Sequence, residues 1–217
     1  MIRVSDRTIK AMLVDDHAVV RMGFRLLLQG TSDIQVVAEA NSGEEAVRLY
    51  PEVRPNVVVM DISMPGMGGL EALRRLLAHS PEARVLALSA HDATAYAYRA
   101  LQGGALGYLS KRSAPDALID AVRAVARGER YVDARIAHRM AQAQVEGEAS
   151  PSDILSEREF AVFIQLAQGL TVPQIAEQLK LASSTVGTHL YNIKQKLGVA
   201  NQAELTLIGL RWGLIQP

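Results

Sequence analysis

NVVVMDISMPGMGGLEALRRLLAH, residues 56–79, sets a near-continuous apolar run against a carboxylate, Asp61. A Pro/Gly-rich turn follows, and from Gly69 the apolar residues recur at helical spacing. An apolar run without alternation reads as a strand buried on both faces, so this is a strand–turn–helix unit. Outward from it the same unit repeats. AMLV (11–14), IQVVAEA (34–40), RVLAL (84–88) and the weaker ALGYL (105–109) are further strand candidates. Helical periods follow the five runs at 18–29, 44–53, 69–79, 94–102 and 115–127. Strand-then-helix alternation makes the sheet parallel, and five units predict an α/β, doubly wound five-stranded parallel sheet domain over residues 8–127. The punctuation agrees: Ser42-Gly43 opens one helix, Pro55 stops another and Gly103-Gly104 closes a fourth.

Beyond Arg127 the pattern changes. Residues 128–150 hold an amphipathic stretch around Ala134–Gln144 and then turn Glu/Gly/Ser/Pro-rich, which reads as a partly helical linker. Residues 151–217 carry only helical periods, predicting an all-α four-helix domain. Ser156 with Glu159 three residues on forms a capping box, and Gly169 is a stop. Thr171 caps a second helix with Pro173 in its first turn. Ser183 or Ser184 caps a third that ends at Gly198, and Asn201 caps a fourth that stops at Gly213. The tight break between the second and third helices has the form of a helix-turn-helix.

The composition narrows the function classes. The chain has 217 residues and no cysteine, which excludes disulfides, thiolate metal sites and cysteine nucleophiles. Its 23 basic residues cancel its 23 acidic ones, so any attraction to a polyanion is local. The N-terminal segment has no apolar run of signal-peptide length, and no stretch approaches a membrane span. A soluble cytoplasmic protein without membrane association is expected.

In a parallel sheet, ligands bind beyond the carboxyl ends of the strands. Asp15 and Asp16 follow the first strand here and Asp61 the third; Ser89 follows the fourth and Lys111 the fifth. Singly, each has a plainer role: an Asp there often caps a helix, Ser89 does the same, and Lys111 is a solvated lysine. Together they put three carboxylates, a hydroxyl and an ammonium in one crevice. The carboxylates repel one another unless a hard dication such as Mg²⁺ joins them. A lysine beside them suits a second anion, most simply a phosphoryl group, and the chemistry that fits is phosphoryl transfer to an aspartate.

Residues 10–127, through DDH (15–17), DISMPGMGG (61–69), LSAHD (88–92) and GYLSK (107–111), resemble the receiver domain of a two-component response regulator. The resemblance implies that Asp61 is the phosphoacceptor. It implies Asp16 and Asp61 as Mg²⁺ ligands, the Ser63 carbonyl as a third, and Asp15 acting through water. Lys111 would pair with the phosphoryl group, Ser89 would move to bond it, and Tyr108 would be the aromatic that follows inward. An ordinary strand aromatic is the other reading of Tyr108. Many receivers follow the lysine directly with proline, whereas Arg112-Ser113-Ala114 precede Pro115 here.

LSERE (155–159), GLTVPQIAEQL (169–179), SSTVGTHLYNIKQKLGV (183–199) and AEL (203–205) resemble the LuxR-type DNA-binding domain. The two domains in this order are similar to the NarL/FixJ class. In the candidate recognition helix, 183–196, Val186, Leu190, Ile193 and Leu197 form one apolar stripe that faces a core. The N-terminal amides with Ser184 and Thr185 suit a phosphate. Gly187, Thr188, Tyr191, Asn192 and Lys194 form the face for a major groove, with Lys194 and Lys196 as local positive charge and no acid to offset it. His189 reads as a packed or capping histidine. From 151 to 217 five basic residues meet five acidic ones, and the basic residues common in the family at Gly187 and near Asn201-Gln202 are missing. Weak monomeric binding that requires a dimer is the expectation.

The first reading is thus a DNA-binding regulator switched by a sensor histidine kinase, with double-stranded DNA and a second copy of itself as partners. A nucleophilic-aspartate phosphatase is disfavoured: the general acid expected two residues after Asp61 is replaced by Ser63. Only self-phosphorylation and slow loss of the group remain as chemistry. A pure interaction module is disfavoured by the complete set of charged residues.

Overall fold

Valine and methionine in unbroken succession require a strand with no solvent face, and Val57, Val58, Val59 and Met60 are all buried. The computed structural model describes residues 8–90, 94–113, 115–145, 151–212 and 214–215. His91 and Asp92 of the LSAHD stretch, Ala114, residues 146–150 and Gly213 lie outside them. The described chain falls into two compact units, one running to Ala90 with Ala100–Asp133, the other His91–Arg99 with the chain from Ala134 onward.

The first unit is built on strands β1 (Ile9–Val14), β2 (Ile34–Ala40), β3 (Val57–Asp61), β4 (Val85–Ser89), β5 (Gly107–Ser110) and β6 (Tyr131–Val132). All pair in parallel, in the order β2-β1-β3-β4-β5-β6. The helices between the strands are α1 (Ala18–Gln29), α2 (Gly43–Val53), α3 (Gly69–His79), α4 (Thr94–Gln102), whose residues through Arg99 belong to the second unit, and α5 (Pro115–Ala126). Strand residues alternate between two cores. Ala11, Leu13, Val57, Val59, Leu86, Leu88 and Leu109 pack with Leu28 of α1 and with Leu118, Ala121, Val122 and Val125 of α5. The opposite parity, Met12, Val14, Val58, Met60 and Ala87, is equally buried, as are Ala46 and Tyr50 of α2 and Leu73 and Leu76 of α3.

The sheet has six strands, not the five expected. Tyr131-Val132 falls in the stretch that reads as linker, because two residues carry no periodicity. The pairing that makes them a strand comes from β5: Tyr131 N–H donates to Leu106 O at 3.1 Å and Asp133 N–H to Tyr108 O at 3.1 Å, which satisfies an edge otherwise left open. Ser42 caps α2 as expected, accepting from the Glu45 amide, but the helix ends through Arg54 in the left-handed region (φ 42°) before Pro55.

The second unit contains α6 (Ala134–Val145), α7 (Pro151–Ile154), α8 (Glu157–Ala167), α9 (Val172–Leu179), α10 (Ser183–Leu197) and α11 (Gln202–Arg211). Here α8 is central, packing on α9, α10 and α11. Phe160, Phe163, Ile175, Val186, Ile193 and Leu205 are buried around it. The Tyr96 ring stands edge-on to Phe160 with centroids 5.1 Å apart, and the Arg99 guanidinium lies 4.6 Å from the centre of the same ring. α6 is a full twelve-residue helix, and the single turn of α7 adds to the four helices expected from 151. No helix among the described residues is long and apolar enough to cross a membrane.

Candidate functional site

The order β2-β1-β3 reverses the winding direction between β1 and β3, and a crevice opens beyond their carboxyl ends. β1 and β3 are direct neighbours with Val14 level with Met60, so Asp15 and Asp61 leave the sheet side by side. Asp61 is level with Leu88, which places Ser89 at the same edge. Lys111 follows β5 and donates its amide to Ser89 O at 2.7 Å. One ammonium holds the crevice together: Lys111 Nζ donates to Asp15 Oδ2 at 2.6 Å and to Asp61 Oδ2 at 2.8 Å. The other carboxylate oxygens take backbone donors, His17 N–H on Asp15 Oδ1 at 2.8 Å and Ser63 N–H on Asp61 Oδ1 at 2.9 Å. Arg21 Nη1 donates to Asp15 O at 2.6 Å, tying the turn to α1.

Asp15 and Asp61 are almost wholly buried, at 2% and 1% exposure. Burial pushes the Asp61 carboxyl above the usual carboxylate value, although Lys111 and the Ser63 amide pull the other way. For Lys111, burial opposes the charge, and the Asp61 and Asp15 carboxylates outweigh it to hold the ammonium above the usual lysine value. The pocket therefore keeps a buried negative charge at a cost, and additional positive charge relieves it.

Ligand atoms of Asp15, Asp16, His17 and Asp61 all lie within 4.8 Å of one another. Asp16 Oδ1 is buried without a hydrogen-bond partner among the described residues. Three carboxylates with an orphaned oxygen are the donor set a hard dication takes, so these residues fit Mg²⁺. Ser63 is exposed on the turn after β3, whereas Ser89 and Tyr108 are completely buried. The turn itself is held by Glu44 of α2, whose Oε1 accepts from the Met67 amide at 2.8 Å. Gly69 packs so close to β3 that an added Cβ would lie 2.1 Å from Asp61 O.

In the second unit, Val186 and Ile193 of the expected apolar stripe are fully buried and Leu190 and Leu197 half-buried. Ser184, Thr185, Thr188 and Tyr191 are exposed, and Gly187, Asn192 and Lys194 partly so. The start of the helix differs from expectation: its cap is Ala182, without a side-chain hydrogen bond. Burial of Val186 sets the helix phase, and Thr185 and Val186 both donate to Ala182 O, so Ser183 and Ser184 fall inside the first turn. The charge differs too. Lys196 Nζ donates to Glu159 Oε2 at 2.7 Å, an acid brought from α8, and Lys194 Nζ donates to Ala200 O at 2.9 Å. Lys196 is thus not an unopposed charge. His17 and Glu159 are contributions that local spacing did not assign. His17 stands in the DDH triplet, where the signal was visible, whereas the Lys196 partnership spans 37 positions and had none.

Comparison with known proteins agrees with this geometry. Residues 11–123 match the response regulator receiver domain, and residues 153–208 match the bacterial regulatory proteins of the luxR family. The chain is 40% identical over 208 residues to response regulator UvrY of Escherichia coli K12, covering 95% of each. It is 37% identical over 209 residues to response regulator GacA of Pseudomonas aeruginosa, covering 95% of this chain and 98% of that one. Among solved structures, response regulator ChrA of a heme-sensing two-component system is similar at 38% identity and a TM-score of 0.55, covering 96% of this chain and 99% of that one. The chain belongs to the two-component response regulators of the NarL/FixJ class, which join a receiver domain to a LuxR-type helix-turn-helix DNA-binding domain.

Proposed function

We propose that a sensor histidine kinase phosphorylates this protein on Asp61 and that the added charge controls transcription through α10. The observation that carries the reading is the Lys111 ammonium bonded to both Asp15 and Asp61. An Asp61 oxygen attacks the phosphorus of a phosphoimidazole; the P–N bond breaks, the imidazole leaves with that electron pair, and an acyl phosphate remains on Asp61. Lys111 keeps Asp61 anionic and in place before attack and pairs with the phosphoryl oxygens after it. Asp16, Asp61 and the Ser63 carbonyl would hold Mg²⁺, with Asp15 acting through water, and the bound ion would supply further neutralisation of the transferred oxygens. Ser89 and then Tyr108 respond to a new charge of about −1.5 to −2. Self-phosphorylation from small donors and slow self-hydrolysis complete the chemistry.

Residues 8–127 act as the receiver, 128–150 as the connecting region and 151–217 as the DNA-binding domain, in a cytoplasmic protein. Two copies together present two recognition helices to a two-fold site in double-stranded DNA. Ser184 and Thr185 meet phosphate, and Gly187, Thr188, Tyr191, Asn192 and Lys194 face the major groove. The exposure of these residues and the burial of the opposite stripe support this face. Incubation of the full chain with Mg²⁺ and acetyl phosphate tests the reading. A stoichiometric, hydroxylamine-labile adduct is expected, absent in Asp61→Ala; an adduct that persists in Asp61→Ala overturns the assignment.

A further inference from the structure

His17 enters the crevice differently from the acids around it. Its ring is largely exposed, yet Nδ1 lies 3.1 Å from Asp16 Oδ1 and 3.4 Å from Asp15 Oδ1. That oxygen is buried and makes no geometric hydrogen bond among the described residues, so a protonated ring meets it as an ion pair and a neutral ring as a second donor to a shared cation. Neighbouring ligand atoms of an octahedral dication bound at about 2.1 Å are about 3.0 Å apart, and opposite ones about 4.2 Å. The Asp16, His17 and Asp61 donors, which with Asp15 all lie within 4.8 Å of one another, come close to that spread.

We propose that His17 Nδ1 is a nitrogen donor to the divalent cation of this pocket and shifts its preference toward first-row transition-metal ions relative to Mg²⁺. Imidazole suits the borderline ions Fe²⁺, Ni²⁺, Cu²⁺ and Zn²⁺, whereas Mg²⁺ and Mn²⁺ favour oxygen. A purely carboxylate and carbonyl pocket discriminates less, so the nitrogen acts chiefly on selectivity. The inference rests on the cation reading above and adds one ligand to it. His17→Ala is a clean probe because the side chain is exposed and the backbone amide, the group that bonds Asp15, is retained.

The test loads the full chain with one equivalent of Mn²⁺ and records electron spin echo modulation, with Mg²⁺ competition followed by the signal of free Mn²⁺. A directly coupled ¹⁴N is expected in the wild type and lost in His17→Ala. In that variant Ni²⁺ affinity, measured by calorimetry in competition with Mg²⁺, is expected to fall about tenfold, with Mg²⁺ affinity changed less than twofold. A wild-type spectrum without coupled nitrogen, or one unchanged by His17→Ala, overturns the inference while Mg²⁺-competed Mn²⁺ binding upholds the pocket. Failure of the wild type to bind either ion removes both.

Discussion

Asp61 shows how one residue's chemistry depends on its neighbours. Its carboxyl is driven up by burial and remains useful because Lys111 spans it and Asp15. Gly69 lets the backbone after Asp61 pass close to β3: Gly69→Ala would drive a methyl against Asp61 O and Ile62 Cα, both backbone atoms. We expect that substitution to cost about 3 kcal/mol in urea unfolding followed by far-UV circular dichroism, and to depress phosphorylation of Asp61. Glu159 is the counterpart in the second unit. It is 4% exposed, and although burial alone would raise its pKa, the Lys196 ammonium and the Ser156 amide and hydroxyl bring it from 4.5 down to about 2. A depressed acid contributes stability that is complete above pH 4.5 and lost as pH falls toward 2. Trp212 is the single tryptophan and lies in that unit, so its fluorescence in urea should show stability falling over that window. Glu159→Gln should flatten the fall, by an amount on the order of 2–3 kcal/mol.

At the scale of elements, α10 is held from behind and left open in front. Gly187 faces open space, with nothing within 4 Å of the point where a methyl group would stand, yet it occupies a helix interior. Gly187→Ala is expected to stabilise the second unit by about 0.5–1 kcal/mol, measured as a shift in the urea midpoint at constant slope. Tyr191, 65% exposed, and Thr188 contribute little to folding where they stand. Replacing either by Ala should weaken operator binding about 5- to 100-fold in electrophoretic shifts with the helical circular dichroism unchanged. The helix starts were legible wherever a side chain closes its own cap, as Ser156 with Glu159 and Asn201 with Glu204 do within one turn. The start of α10 was not, because the burial of Val186 from another element, and not a serine hydroxyl, sets its phase.

For the whole molecule, ligand linkage gives the broadest prediction. A dication that binds only the folded pocket adds RT ln(1 + [L]/Kd), about 1.4 kcal/mol at ten times Kd. Mg²⁺ should therefore raise the melting temperature of the first unit by several degrees, and Asp61→Ala should abolish most of that rise. Sizing of the phosphorylated chain should show a dimer, and a monomer at every concentration tested would overturn the two-fold reading of DNA. Strands β1 to β5, the helices that follow them and the acids at the strand ends were determined by the sequence alone, because apolar periodicity and the strand-to-turn boundary are local properties. Asp15, Asp61 and Ser89 stood at predicted strand ends for that reason. Only the tertiary structure decided that Lys111 reaches Asp15 across 96 positions and Asp61 across 50, that Lys196 is neutralised by Glu159, and that Tyr131-Val132 becomes a strand. Each of these is a contact between groups distant along the chain, and no local pattern encodes where a long side chain or an open strand edge will find its partner.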